Sequence, residues 1–452
     1  FEVKMIILKN AFILDGEKTH ISDVSFNEKI IQIGNNIKPE KGVKVIDLHG
    51  KLLIPGCIDA HVHFNDPGFT DREDFTSGTT AAACGGITTI IDMPCTSIPA
   101  VTNLVNLNKK LIVIEPKAVI DFALWGGIRK NDLPLDYEMI RELWDAGVVG
   151  FKIYTISGMK TFVALSYKDI ENVFKQFPEI LFAFHAEDEN IIRNSIHKLT
   201  DKQMKLPENY VKTRPVKAEV EAVKKIISSL GKKNKVHFVH ISSKEAAELI
   251  LESKKQFEVS FESCPHYLQF TSKDLPILKG RLKTAPPVKF DEDRDFLRKC
   301  LRTGSLDFVT TDHAGCDYKT GKNQTDFSQV YNGIPGTELM IPYLFSEFYL
   351  KEKVTLKKMI KLTSENAAKR YGLFPEKGSL QIGTDADFTI IDLNNPYFVD
   401  ENKLHSKGKY SPFNNTEFSC SIDKTIVRGK IVYDSKKGIL QKPGYGKFVR
   451  RN

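Results

Sequence analysis

The sequence predicts an α/β protein: a (β/α)8 TIM-like barrel with a small composite β-sandwich domain built from both chain ends. Three observations carry this. Between about Ile58 and Leu373, eight strand-like apolar runs end in polar residues, and each is followed by a stretch of helical period. The first fifty residues and the last seventy-five instead alternate short apolar strands with turn residues, without long helical periodicity. Nearly continuous apolar strands spaced by helices suit a parallel sheet covered on both faces, and eight of them suit closure into a barrel.

In order, KMIILKNAFILDG, DVSFNEKIIQIGNNI and GVKVIDLHGKLLIPG form the opening β-unit. The barrel runs are CIDAHVHF, GGITTIIDMP, AVIDFALWGG, GVVGFKIYT, ILFAFHAED, KVHFVHISS, FEVSFESCPHY and LDFVTTDHA. REDFTSGTTAAACGG and SKEAAELILESKK exemplify the intervening helices, and GSLQIGTDADFTIIDL with TIVRGKIVYD completes the β-unit. A length of 452 residues alone suggests about three domains at ~150 residues each; the pattern reduces this to two. The expected division is 1–54 with 374–452 for the sandwich and 55–373 for the barrel.

Hydrophobic residues at 41% and charged residues at 27% exclude disorder, collagen-like repeats and a membrane bundle. The net charge of +8 is scattered as lysine. The densest runs, GKKNK at 231–235 and GKFVRRN at 446–452, read as solvated faces, and no nucleic-acid partner is expected. Seven cysteines without a C-x-x-C pair imply a reducing compartment. No signal-peptide pattern opens the chain, and MIIL is far shorter than the ~18 residues that span a bilayer. A cytoplasmic protein with no membrane partner is the expectation, and the sequons at Asn323 and Asn414 carry no meaning.

Barrel enzymes place catalytic groups at the C-terminal ends of strands. The ionisable residues ending these runs are His61, His63, Lys152, His185, His240 and Asp312. Period two puts His61 and His63 on one face, where two imidazoles can reach one ion; Asp59 would steady that strand. Lys152 lies in GVVGFKIY, preceded by apolar residues and glycine. A bare ammonium there is costly, whereas carboxylation of the amine by CO2 gives a carbamate whose two oxygens can bridge two metals. Alone, Lys152 could equally snorkel to solvent, and each histidine could be a satisfied core residue; it is the set that favours a metal centre. His237, three residues before His240, faces the other side of its strand. Asp312 can touch a metal and accept a proton from water. Two divalent ions ~3.5 to 4 Å apart activate water at neutral pH, and nitrogen and oxygen donors without thiolate favour Zn²⁺, with Fe, Co or Mn also compatible.

The chain resembles the cyclic amidohydrolases of the amidohydrolase superfamily: dihydroorotases, allantoinases and hydantoinases/dihydropyrimidinases. The motifs run end to end: PGCIDAHVHFNDPG at 55–68, SGTTAAACGGITTIIDMP at 77–94, GVVGFK at 147–152, HAED at 185–188, VHIS at 239–242, ESCPHYL at 262–268, APP at 285–287, TDHA at 311–314 and GTDADFTIID at 383–392. The resemblance implies two metals bridged by carboxylated Lys152, Asp312 as general acid/base, and hydrolysis of a ring amide. It also implies a homo-dimer or homo-tetramer. Dihydroorotases resemble H-x-H-L-R-E-P-G and carry asparagine after Met-Pro; here Asn65 and Cys95 stand there, which removes groups that would hold a carboxylate. Hydantoinases are similar to a pattern with tyrosine five residues after the bridging lysine, where Ser157 stands; Tyr154 is expected to face differently. Allantoinases resemble H-x-H-x-N-x-P-G, matched by Asn65, and R-P-V-x-x-E-V-E-A, matched by RPVKAEVEA at 214–222. MPCTS and TDHAGC depart from that pattern, and YNGIPGTE at 331–338 is closer to hydantoinases. The resemblance thus favours allantoin as substrate, with Asn65, Ala285 and Asn332 as substrate-binding residues. Dihydroorotase or hydantoinase activity, and a non-catalytic dihydropyrimidinase-like scaffold, are the alternatives.

Overall fold

The computed structural model describes residues 5–452. Ten residues of strand β1 (Ile6–Asp15) pair antiparallel with β2 (Lys18–Phe26), which continues to β3 (Ile30–Gly34). β4 (Lys44–Asp47) and β5 (Leu52–Pro55) return parallel to β1. Alternation along β1 buries Leu8, Ala11 and Ile13 in a core shared with Val24, Phe26, Leu53, Phe388, Ile390 and Ile426. The ends of the chain therefore meet in one hydrophobic layer.

Barrel strands follow: β6 (Cys57–Val62), β7 (Ile87–Asp92), β8 (Asp121–Leu124), β9 (Gly126–Gly127), β10 (Phe151–Tyr154), β11 (Leu181–His185), β12 (Lys235–Phe238), β13 (Glu258–Ser263) and β14 (Phe308–Val309). β8 and β9 form one run that changes partner at Trp125, whose amide bonds Asp92 while the Gly126 amide bonds Gly150. All neighbouring pairs are parallel, and the seam closes where Val62 bridges His313 and the His63 amide donates to His313 O at 2.8 Å. The eight apolar runs of the sequence are these eight staves, and the fold is a TIM barrel with a β-sandwich. Burial on both faces explains why the runs lack alternation.

Beyond the barrel, β15 (Phe388–Asp392) pairs antiparallel with β5, so that Pro55 meets Phe388. A small ribbon of β16 (Tyr397–Phe398) and β17 (Glu417–Phe418) precedes β18 (Ser421–Val427), β19 (Lys430–Asp434) and β20 (Gly438–Ile439), which extend the sheet. The tail departs from its expected solvated state. Residues 446–449 lie along β8, with Phe122 donating to Lys447 O at 3.0 Å and receiving from Val449 N at 2.7 Å, and Arg451 stacks over Trp144 at 3.3 Å. Its Phe and Val supply apolar contact that a count of its charges conceals. Gly231, Lys232 and Lys233 of the other basic run are exposed. All seven cysteines are buried and free. Among the described residues, no helix is long and apolar enough to cross a membrane.

Candidate active site

The predicted ionisable residues collect at one mouth of the barrel. His61 lies in β6, His63 just past it, Lys152 in β10, and His185 ends β11. His240 and Asp312 follow β12 and β14 in left-handed backbone, at φ 41° and 49°. Non-glycine residues rarely adopt that region, and the surrounding structure must hold them there. Asp59 does part of this: its Oδ1 accepts from the Thr311 amide at 3.1 Å and Oδ2 from Thr311 Oγ1 at 2.5 Å. One carboxylate thus ties the His61 strand to the turn that carries Asp312. Gly78 sets the other flank, since a Cβ there would lie 2.6 Å from the Phe64 ring beside His63.

Two groups of candidate ligands face each other. Asp312 Oδ1 lies 3.1 Å from His63 Nε2 and 3.2 Å from His61 Nε2. Opposite, His185 Nδ1 is 3.0 Å from His240 Nε2. Hydrogen bonds behind the rings fix which nitrogen points inward. His61 donates from Nδ1 to Glu262 (2.6 Å), and His185 donates from Nε2 to Glu187 (2.8 Å). Glu262 also accepts from His237 Nε2 at 3.0 Å, so His237 acts behind the site rather than in it. The RPVKAEVEA stretch acquires a physical reading here. Arg214 grips Glu187 through Nε at 3.1 Å to both oxygens, and Glu219 accepts from the Ser242 amide (3.0 Å), two residues beyond His240. One segment orients both histidines of the second group.

Lys152 Nζ is fully buried and has no hydrogen-bond partner. Burial pulls its ammonium down to about 8, and its charge in turn disfavours protonation of His61, His185 and His240. Burial lowers His61 to about 4 and His240 well below the ordinary range. Burial would raise Asp312, but His61 and His63 outweigh it and hold the carboxylate at about 2. Burial works against protonated His63, yet Cys95 and Asp312 together push it up to about 10. Three imidazoles held neutral (His61, His185 and His240), an ionised carboxylate and an orphaned amine form a donor set that fits divalent metal, whose charge would take the place of the proton that Cys95 and Asp312 favour on His63. His61, His63 and Asp312 bring ligand atoms within 4.8 Å of one another, and His61 Nε2 and His240 Nδ1 also lack hydrogen bonds.

A cavity of about 830 Å³ opens over these groups, with His63, His185, His240 and Asp312 on its wall. Ala285 and Asn332 line it as expected, although Asn332 Oδ1 already accepts from Tyr210 at 2.9 Å. Asn65 does not line it. Fully buried at a left-handed turn (φ 58°), it has both amide atoms unpaired. Tyr154 corrects the sequence expectation in the opposite sense: period two gives it the face of Lys152, so it enters the cavity wall, stacked on His185 at 5.3 Å. Its hydroxyl is 3.2 Å from Cys95 Sγ, which is 3.6 Å from His63 Nδ1. In the sequence Cys95 stands only where dihydroorotases carry asparagine. Its place between Tyr154 and His63 needed the fold.

The pattern described as the amidohydrolase family matches residues 52–432. An allantoinase of Rubrobacter xylanophilus is 33% identical over 414 residues, 90% of this chain and 88% of that protein. An allantoinase of Bacillus velezensis is 32% identical over 451 residues, 98% and 97% of the two chains. Among solved structures, L-hydantoinase (dihydropyrimidinase) from Arthrobacter aurescens superposes with a TM-score of 0.93 at 31% identity, covering 99% of this chain and 100% of that one. Agreement of this extent, in sequence pattern and in backbone, makes the chain a member of the amidohydrolase family.

Proposed function

We propose that this enzyme, a hydrolase of carbon–nitrogen bonds in cyclic amides, acts on allantoin through two divalent metal ions, Zn²⁺ by donor type. The observation that carries the metal reading is the unpartnered, buried Nζ of Lys152 beside two facing ligand groups. His61, His63 and Asp312 would hold one ion, His185 and His240 the other, and Lys152, carboxylated on Nζ, would bridge them. When bound, the metals supply Lewis acidity that polarises a carbonyl and lowers the pKa of water. Asp312 takes a proton from the attacking water and returns it to the leaving ring nitrogen; its neighbours His61 and His63 keep it ionised, the form that can accept. Glu262, Glu187 and Arg214 keep the imidazole nitrogens aimed inward. Tyr154, Ala285 and Asn332 confine the ring above them. Asn65, given its burial, is assigned to the loop's geometry rather than to substrate.

Support for allantoin comes from the relatives named allantoinase and from the RPVKAEVEA segment with its two-histidine role. A hydantoin is the second reading, favoured by the backbone similarity to L-hydantoinase. Steady-state hydrolysis of allantoin, dihydroorotate, hydantoin and dihydrouracil by zinc-loaded protein tests the choice. Allantoin is expected to give the highest kcat/KM; a preference for dihydroorotate or dihydrouracil would overturn it. Less than one metal ion per chain with no hydrolysis of any ring would return the protein to a scaffold role.

A further inference from the structure

Three arginines lie on the cavity wall, and they differ in what they meet. Arg193 is paired with Glu189 and Arg214 with Glu187. Arg72 meets no carboxylate and makes no side-chain hydrogen bond among the described residues. It is nevertheless held in place. Its guanidinium carbon stands 4.7 Å from the Phe69 ring centroid and 4.9 Å from that of Tyr331, both also on the wall. The residue is half-buried.

Stacking on ring faces occupies the flat sides of a guanidinium and leaves its rim of N–H donors free. On an open surface such a clamp contributes only about 0.5–1 kcal/mol per contact. An arginine so held beside a cavity becomes a pre-ordered fork for a planar oxygen acceptor. The carboxylates of the same wall do not compete for it: Glu189 is engaged by Arg193 and Asp312 lies against His61 and His63.

We propose that Arg72 is a substrate-binding residue that receives a planar oxygen acceptor on the ring's exocyclic substituent. The inference rests on the cyclic-amide reading above and deepens it. For allantoin the acceptor is the ureido carbonyl; an exocyclic carboxylate presents the same chemistry with added charge. An apolar substituent leaves the fork unsatisfied, which disfavours alkyl-substituted rings.

The test compares kcat/KM for allantoin, unsubstituted hydantoin, 5-isobutylhydantoin and hydantoin-5-acetic acid in wild-type, Arg72→Met and Arg72→Lys enzyme, all zinc-loaded. In Arg72→Met the allantoin-to-hydantoin ratio should fall about ten- to hundred-fold, the size of one charge-assisted hydrogen bond. The loss should sit mainly in KM, Arg72→Lys should recover part of it, and the isobutyl-to-hydantoin ratio should hold. Equal losses on all four rings, or none, would overturn the proposal. A drop confined to hydantoin-5-acetic acid would keep Arg72 and overturn allantoin as the substrate. Should the wild type hydrolyse none of them, calorimetric titration with hydantoin-5-acetic acid and hydantoin decides: an Arg72-dependent preference for the acid supports the fork, and indistinguishable binding overturns it.

Discussion

Two of the buried lysines of this molecule, Lys377 and Lys152, are opposites. Lys377 places its ammonium 2.5 Å from Asp121, 2.7 Å from Asp387 and 2.9 Å from Asp385. Burial would lower its basicity, but the three carboxylates outweigh that and raise it. Lys152, equally buried, has no partner, and burial wins. Asp121 begins a barrel strand, whereas Lys152 is the second residue of another, its amine 5.2 Å from the Tyr154 ring on the cavity wall. Around Lys377 charge is matched within the protein, fastening barrel to sandwich. At Lys152 it is left unmatched. Burial without a counter-charge does not by itself set Lys152 apart, since Lys283 and Lys322 are buried against backbone carbonyls; burial without any hydrogen-bond partner does.

The contrast can be broken most sharply through activity. Lys152→Ala should lose turnover by several orders of magnitude, and short carboxylic acids such as acetate or propionate should restore part of it by standing in for the carbamate. Full activity without added acid would remove the bridge. Next in size is stability at the other lysine. Lys377→Met leaves buried carboxylates uncompensated and should cost about 3–5 kcal/mol in urea denaturation; a loss below about 1 kcal/mol would mean that the cluster holds nothing together.

The smallest effect has the opposite sign. Without metal, Lys152→Met removes an unsatisfied cation and should gain about 1–3 kcal/mol near neutral pH. The lysine pKa falls from 10.5 unfolded to about 8 folded, so between those values the unfolded chain binds more protons. Wild-type stability therefore rises with pH across that window, and the gain in the variant should shrink toward zero by its upper end. A gap that widens with alkalinity would show that the amine is not the source.

Much of this was legible beforehand, because the signals lay within single strands. Eight apolar runs gave eight staves, and the polar residue ending each run marked the mouth. His61, His63, Lys152, His185, His240 and Asp312 gathered there because a parallel barrel points all strand ends one way. What stayed hidden depended on contacts between distant segments. Glu262 reads as one more acid in ESCPHY until β13 lies beside β12. Arg72 reads as a loop charge until Tyr331 closes over it. Asn65 fits its motif, and its full burial at a left-handed turn, away from the cavity wall, needed the fold to be seen.

The pairing of β5 with β15 bears on how the protein comes to be made. Synthesis delivers β1 to β5 first, yet the edge of β5 waits for Phe388–Asp392 before it is covered. Throughout that interval an unpaired edge and an open apolar face await a partner most of the chain away, a condition that invites association with other chains. The barrel waits less: each stave pairs with the next one made, and its own closing seam, Val62 against His313, needs the chain only as far as residue 313. The catalytic half can thus assemble before the half that was started earlier, and the last seam to close lies in the part that performs no chemistry.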